Sequence, residues 1–262
     1  MSWHEVGRLF WINFLLITLM MIGGWIYYIF QRNGAILDVV FAFGFIIVAI
    51  TSFAIGQGYL LRKILLFVMA AIWASRLLGY LFVRYLKKDE EGRFQILRKR
   101  FSIDSDLKFL ALFFVQGIAI LIISWPFVLS CLNPTAEISS FEIAGMIVWL
   151  IGFVFETIAD RELWQFKIEE QNKEKVCQTG LWNYSRHPNY FFNWLVWIGF
   201  FLFALDAPYG YTSLVSPALM WYLLTQVSGI KEQEMLAIQT KGEQYKEYQR
   251  KTNKFFPWFP KK

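Results

Sequence analysis

The sequence predicts an all-α, polytopic membrane protein, a bundle of about seven transmembrane helices with its N-terminus outside and its C-terminus cytoplasmic. Three observations carry that expectation. Of 262 residues, 56% are hydrophobic and 19% aromatic, and only 18% are charged, where a soluble domain carries about 25%; the mean hydropathy is +0.40. Apolar runs recur at the length of roughly 20 residues that a helix needs to cross a bilayer. Between those runs, Lys and Arg alternate between abundant and absent, the pattern that orients a chain in its membrane.

The first run, Leu9–Phe30, follows Ser2 and Glu5, which have the spacing of a capping box. It is too long for a signal-peptide core and lacks a small-residue cleavage site, so it is expected in the mature protein. Ala35–Gly56 and Ile64–Leu86 read as plain apolar helices, and Leu107–Leu132 as the fourth span. Phe141–Ala159 follows a second capping box, Ser139 with Glu142. Tyr190–Leu205 and Tyr211–Gly229 are shorter, with soft edges. The segment Arg84–Lys108 holds eight Lys or Arg, Asp160–Asn189 five, and the tail from Lys231 eight, whereas Asn133–Ser140 and Asp206–Gly210 hold none. The three basic segments are therefore expected in the cytoplasm, and the net charge of +6 reflects orientation and contact with anionic lipid rather than nucleic acid.

Several chemistries are excluded. With two cysteines and no CxxC, and with only His4 and His187 and no HExxH, the chain offers no metal site. Cys131 and Cys177 fall on opposite sides of the membrane in this topology and do not pair. Gly56-Gln-Gly58 lacks the third glycine and the strand of a dinucleotide fingerprint. There is no repeat and no linker, so residues 1–262 read as a single domain. Polar residues crowd the spans from Glu156 onward, marking about 141–262 as the working half.

Ionisable groups at membrane depth are costly and usually face a protein interior or a wet cavity. Arg76, in the third span, is the clearest case, and Tyr80 lies one turn further on the same face; both are expected in the bundle interior. Gln57, which ends the second span, is placed with them as a candidate. Glu156 and Asp160 share a face at the end of the fifth span, and Lys167 continues it: a carboxylate to meet a ribose hydroxyl or adenine amine, a cation to meet phosphate. A solvated helix end reads equally well from those residues alone. The sharpest stretch is Gly180-Leu-Trp-Asn-Tyr184-Ser-Arg186-His187-Pro188-Asn189-Tyr190. Pro188 suits the first turn of a helix, a helix N-terminus is an anion site, and Arg186 offers a fork for phosphate. The tail from Ser228 reads as a cytoplasmic amphipathic helix broken near Gly242, ending in aromatics and prolines.

The order Glu156…Asp160, Gly180-Leu-Trp…Arg186-His-Pro-Asn-Tyr190, Tyr245…Tyr248 and a Phe-Pro end resembles the steroid 5α-reductase superfamily. Within it the likeness is to a bacterial branch described as a domain of unknown function and to sterol C14 reductases. That resemblance implies a seven- to ten-helix bundle holding NADPH in a cytoplasm-facing cavity and reducing an activated carbon–carbon double bond in a membrane lipid or steroid-like substrate. The implied location is the bacterial inner membrane. Carried over by motif, Asp160, Arg186, His187, Asn189, Tyr190 and Tyr245 would meet the cofactor, with Lys167 and Asn193 as further candidates beside them. Hydride delivery to an electron-poor alkene needs a donor to the conjugated carbonyl, for which Tyr80 or Tyr59, with Arg76 nearby and Gln57, are the catalytic candidates. The chain departs from steroid-reducing members where a Gln-Glu pair and a Tyr stand at the places of Gln57-Gly58 and Trp73, and where an acidic residue stands at Asn193. Isoprenylcysteine carboxyl methyltransferases share an Arg-His-Pro-x-Tyr segment and bind S-adenosylmethionine. A membrane methyltransferase and a non-catalytic lipid-binding protein are therefore the alternative readings.

Overall fold

The computed structural model describes residues 2–86, 94, 105–172, 174–227 and 230–261. Among them are helices and no strand: α1 (Trp3–Gln31), α2 (Ile36–Ile55), α3 (Leu60–Leu86), α4 (Ser105–Ile123), α5 (Trp125–Leu132), α6 (Ser140–Ile168), α7 (Pro188–Ala204), α8 (Val215–Tyr222) and α9 (Ile230–Lys251). Most of the basic residues assigned to Arg84–Lys108, together with Lys173 and the Ser228–Gly229 step, lie outside the described residues. Among the described residues, five stretches are long and apolar enough to cross a membrane: Trp3–Gln31, Ile36–Ile55, Leu60–Leu86, Asp106–Leu132 and Ser140–Ile168. The protein is a multi-pass membrane protein. It divides into two compact units, one of Met1–Ser139 with Ala204–Ser213, the other of Ser140–Phe203 with Leu214–Lys262.

The first unit is built from α1 to α5. Its first helix starts as the sequence requires: the Glu5 N–H donates to Ser2 Oγ at 3.3 Å while the Ser2 N–H donates to Glu5 Oε2 at 2.7 Å, so two of the helix's unpaired donors are satisfied reciprocally. At the far end of α1, Arg32 meets Asp106 at 2.6 Å and Tyr28 stacks on Phe109, which brings α1 and α4 together. The fourth apolar run is two helices rather than one. Pro126 has no N–H to continue the ladder, and the chain breaks at Ser124 before restarting as α5, whose residues from Pro126 to Leu132 are all buried. Trp125 Nε1 donates to Thr212 Oγ1 at 2.9 Å.

Arg62 is the residue this unit turns on and one the sequence did not single out. It is 1% exposed and donates to the carbonyls of Asn133 (3.0 Å), Thr135 (2.7 Å) and Glu137 (2.6 Å). A buried guanidinium needs partners for its donors, and these carbonyls take three of the five. The turn before α3 is joined to the same segment, Gly58 N–H to Cys131 O at 2.8 Å and Tyr59 N–H to Asn133 O at 3.0 Å. The α2–α3 turn and the segment after α5 thus share one end of the unit.

The second unit rests on α6 packed against α7 with almost no side chain between them. A Cβ on Gly199 would stand 2.6 Å from the Trp149 backbone nitrogen, one on Gly145 2.6 Å from that of Phe203, and one on Gly152 2.8 Å from that of Val196. Small residues let membrane helices approach to backbone contact, where dispersion replaces the absent hydrophobic drive. α7 is 17 residues long. The run after it is not one uniform helix: a 3₁₀ turn at Gly210–Leu214, α8, and a π turn at Leu223–Val227 follow in sequence. The amphipathic tail helix forms as α9 and breaks at Gly242, whose φ of 55° is open to glycine.

Candidate functional site

Working upward from the loop that enters α7, the first fixed point is Gly180. Its φ is +57°, and its missing side chain leaves room for Glu162, whose Oε2 accepts the Leu181 N–H at 2.9 Å. Trp182 Nε1 donates to the Ala159 carbonyl at 3.0 Å, so the loop is pinned to α6 at two points. Gly180→Ala would place a Cβ 2.0 Å from Glu162 Oε1 and force a left-handed backbone that costs an L-residue roughly 1–2 kcal/mol. That variant is expected to lower the melting temperature in detergent, whereas Gly7→Ala, with nothing within 4 Å of its Cβ, is not.

Beyond the pin, Ser185, Arg186 and His187 tie the loop to α9 and the tail. Ser185 Oγ donates to Phe255 O at 2.9 Å and accepts the His187 N–H at 3.1 Å. Arg186 N–H donates to Asn253 O at 2.9 Å. Its guanidinium is spent on protein: Nε to Glu234 Oε1 at 2.7 Å, Nη1 to Gln249 O at 3.0 Å and to Thr252 O at 2.6 Å. Those two carbonyls lie at the C-terminal end of α9, where helix geometry supplies no partner and where a cation meets the negative end of the macrodipole. Glu234 also takes His187 Nε2 at 3.3 Å and, on its other oxygen, Gln249 Nε2 at 3.1 Å. Tyr248 closes the corner by donating to the Trp182 carbonyl and, at 3.2 Å, to that of Ser185.

The electrostatics follow from this packing. Burial alone would raise the Glu234 carboxyl, but the hydrogen bonds from His187 and Arg186 and the Arg186 charge outweigh it and hold the group at about 2. Burial pushes the His187 imidazole down, helped by the charges of Arg186 and Lys254 and opposed by Glu234, so it is neutral at pH 7 and its Nε2–H donates. Burial also raises the Tyr245 and Tyr248 phenols, leaving both protonated. The Cys177 thiol is raised for the same reason. Both Cys177 and Cys131 are free thiols.

A shallower row of polar groups lies alongside. Asn189 Nδ2 donates to Asp160 Oδ1 at 2.9 Å, and Tyr190, stacked on His187 with centroids 5.8 Å apart, accepts Gln233 Nε2 on its hydroxyl at 2.6 Å. One turn into α7, Asn193 Nδ2 donates to Glu156 Oε1 at 3.0 Å. Asp160, Asn189 and Tyr190 are half-buried and Lys167 is exposed, while Arg186, His187, Asn193 and Tyr245 are buried.

Eight of the sequence-selected residues, Asp160, Lys167, Arg186, His187, Asn189, Tyr190, Asn193 and Tyr245, thus belong to the second unit. The remaining candidates are in the first. Gln57 is exposed in the turn after α2, Arg76 is half-buried, and Tyr80 is 52% exposed; the buried stripe of α3 runs through Leu66, Met69, Ala70, Trp73 and Ala74. Arg76 and Tyr80 continue the spacing of that stripe beyond its last buried residue, Ala74, and are less buried than the bundle interior expected of them. Glu234 was not selected from the sequence. Its signal was a carboxylate four residues after the buried Ile230, in register with the apolar stripe of an otherwise polar helix.

Apolar helices that cross a membrane, carrying a buried Arg–Glu–His corner where the loop before α7 meets the tail helix, define the class. The chain belongs to the family described as proteins of unknown function, DUF1295, whose model matches residues 24–252; the family is known as steroid 5α-reductase-like. Curated proteins and solved structures offer no match.

Proposed function

We propose that the protein is a membrane oxidoreductase that uses NADPH to reduce a carbon–carbon double bond in a lipid or steroid-like substrate. The observation that carries this reading is the half-exposed row of Asp160, Asn189 and Tyr190 with Gln233, in a chain of a steroid 5α-reductase-like family. The donor set fits the hydroxyl-rich part of a dinucleotide. Asp160 and Asn189 would take a ribose, Tyr190 and Gln233 a polar edge, and Lys167, seven residues along α6 from Asp160, a phosphate. Bound there, NADPH would supply a hydride. Arg186, His187 and Glu234 hold the entry to α7 in shape from beneath that row, and Tyr245 remains a proton donor at neutral pH.

The same reading takes α7 and the Gly210–Val227 stretch as the sixth and seventh spans. Seventeen helical residues extend about 26 Å, close to the hydrocarbon thickness of about 30 Å. The distribution of Lys and Arg supports an outside N-terminus and a cytoplasmic C-terminus in the bacterial inner membrane.

The test is thermal unfolding of the purified protein in detergent with NADPH, NADH or S-adenosylmethionine, repeated on Asp160→Ala and Asn189→Ala. A ligand that binds only the folded state stabilises it by about 2.7 kcal/mol at a hundredfold excess over its dissociation constant. NADPH is expected to raise the melting temperature of the natural protein and of neither variant. Stabilisation by S-adenosylmethionine alone would replace the reductase by a methyltransferase, and no response to any of the three would favour a non-catalytic lipid-binding protein. Arg186 variants are unsuitable for this experiment because they remove a structural partner of α9.

A further inference from the structure

The last residues, Phe255-Phe-Pro-Trp-Phe-Pro260-Lys-Lys, combine four aromatics and two prolines with two cations in eight positions, and the structure treats the aromatics unequally. Phe255 is buried against Phe191 and Trp194 of α7. Phe256 touches the same two rings yet is 57% exposed, and Trp258 and Phe259 are 68% and 70% exposed. Their exposure does not come from a loose end. Trp258 N–H donates to Tyr184 O at 3.0 Å, Lys261 N–H to Lys251 O at 2.8 Å, and Ser185 Oγ to Phe255 O at 2.9 Å, while Pro257 and Pro260 restrict the backbone between them. The segment is a strap tied down at three places that presents large apolar rings outward.

Two further facts identify what covers the rings. Phe256 lies beside Phe191 and Trp194, which are in the first two turns of α7, so the strap sits at the depth where an apolar helix begins. Exposed cations flank it: Arg250, Lys254 and Lys261. Aromatic rings with a basic border match the boundary between acyl chains and anionic headgroups, which accepts Trp and Phe at its apolar edge and attracts Lys and Arg. We propose that Phe256, Trp258 and Phe259 insert into the cytoplasmic headgroup layer of a bilayer containing anionic lipid, and that this docking holds the strap, and through Phe255 and Tyr184 the loop before α7, against the membrane surface. The inference rests on the reading that α7 enters the membrane from the cytoplasmic side; it is independent of NADPH.

The experiment uses the full chain with Cys131→Ser and Cys177→Ser, carrying one environment-sensitive fluorophore on Trp258→Cys, on Phe259→Cys, or on Ile198→Cys in the middle of α7. Each is placed in nanodiscs of phosphatidylcholine alone or mixed with phosphatidylglycerol. Quenching is read with aqueous iodide and with lipids carrying a nitroxide near the headgroup or deep in the chain. The expected result is a blue-shifted label at 258 and 259 that loses iodide access, is quenched by the shallow nitroxide, and shifts further when phosphatidylglycerol is present, with the label at 198 quenched by the deep nitroxide. Full iodide access at 258 and 259 with deep quenching at 198 overturns the docking and leaves the membrane reading of α7 standing. Iodide access at 198 overturns that reading and the inference with it. Labels at 258 and 259 shielded from iodide and from both nitroxides overturn the docking in favour of a cover of protein, such as a second copy. Shallow quenching without any effect of phosphatidylglycerol overturns the role given to anionic lipid.

Discussion

Glu234→Ala is expected to destabilise the protein by about 3–5 kcal/mol, the range for removing one partner of a buried ion pair. The variant strips Arg186 of the carboxylate it meets at 2.7 Å, in a corner where both side chains are about nine-tenths buried, and deprives His187 and Gln249 of an acceptor. The charge left behind, not the lost contact, sets the size of the effect. A double variant, Arg186→Met with Glu234→Met, is therefore expected to fall well short of the sum of the single variants, since it buries no uncompensated charge. Thermal unfolding in detergent of the three variants measures both quantities; additive losses would show that the pair is not coupled.

The same corner makes stability depend on pH, with a sign that can be stated in advance. His187 has a folded value below its ordinary 6.5, so below that pH the unfolded chain takes up a proton first and stability falls. Glu234, held at about 2 against an ordinary 4.5, contributes stability that is complete above 4.5 and is lost as the pH drops from there toward 2. Both groups act in one direction: acidification weakens the fold, first below pH 6.5 and then again below 4.5. In Glu234→Gln the second loss is expected to disappear. An unchanged acid limb in that variant would assign it to other carboxylates.

Gly199→Ala is the other substitution with a large expected effect. The added Cβ meets the backbone nitrogen, Cα and Cβ of Trp149 between 2.6 and 2.7 Å, and backbone cannot rotate away as a side-chain tip can. Overpacking of a close-packed interior costs typically 1–3 kcal/mol, and α6 and α7 must separate along their length to relieve this contact, which puts the expected loss near the upper end, about 3 kcal/mol. Gly23→Ala in α1, with nothing within 4 Å of the new Cβ, is expected to have the opposite sign, a gain of up to about 1 kcal/mol from helix propensity. Melting temperatures of the two variants against the natural protein decide the matter. If the two glycines respond alike, the backbone seam between α6 and α7 is not what holds them.

Arg186 shows where sequence reasoning and structure part on the candidate site. An arginine before a His-Pro helix start reads as a hook for an anion because arginine's fork and a helix N-terminus both suit phosphate. In the structure its Nε and Nη1 point instead to a carboxylate and a carbonyl of α9 and to the Thr252 carbonyl just past its end, between 48 and 66 residues away in the chain. Nothing local to Arg186 distinguishes the two uses, since a guanidinium satisfies phosphate and carboxylate with the same geometry. Glu234 is hidden for the matching reason. A carboxylate on a polar helix attracts no notice until the partner that buries it is known.

Chain order and hydropathy alone determined the helical, membrane-crossing character, five of the seven spans expected, the capping box at Ser2, and the break at Gly242. Each depends on solvent preference or on backbone freedom within a few residues. Only the tertiary structure decided that Pro126 splits the fourth run into two helices with a buried second half, that Arg62 collects three carbonyls 71 to 75 residues away, and that Tyr80 stands outside the core of its unit. Pro126 acts locally, through its missing N–H, but where the second half of that run packs, and what surrounds Arg62 and Tyr80, depend on contacts distant in sequence. Lipid rewards apolar length without regard to which face of a helix meets which neighbour, so composition specifies that helices form, while the pairing of buried polar groups, set by contacts distant in sequence, specifies how they are held.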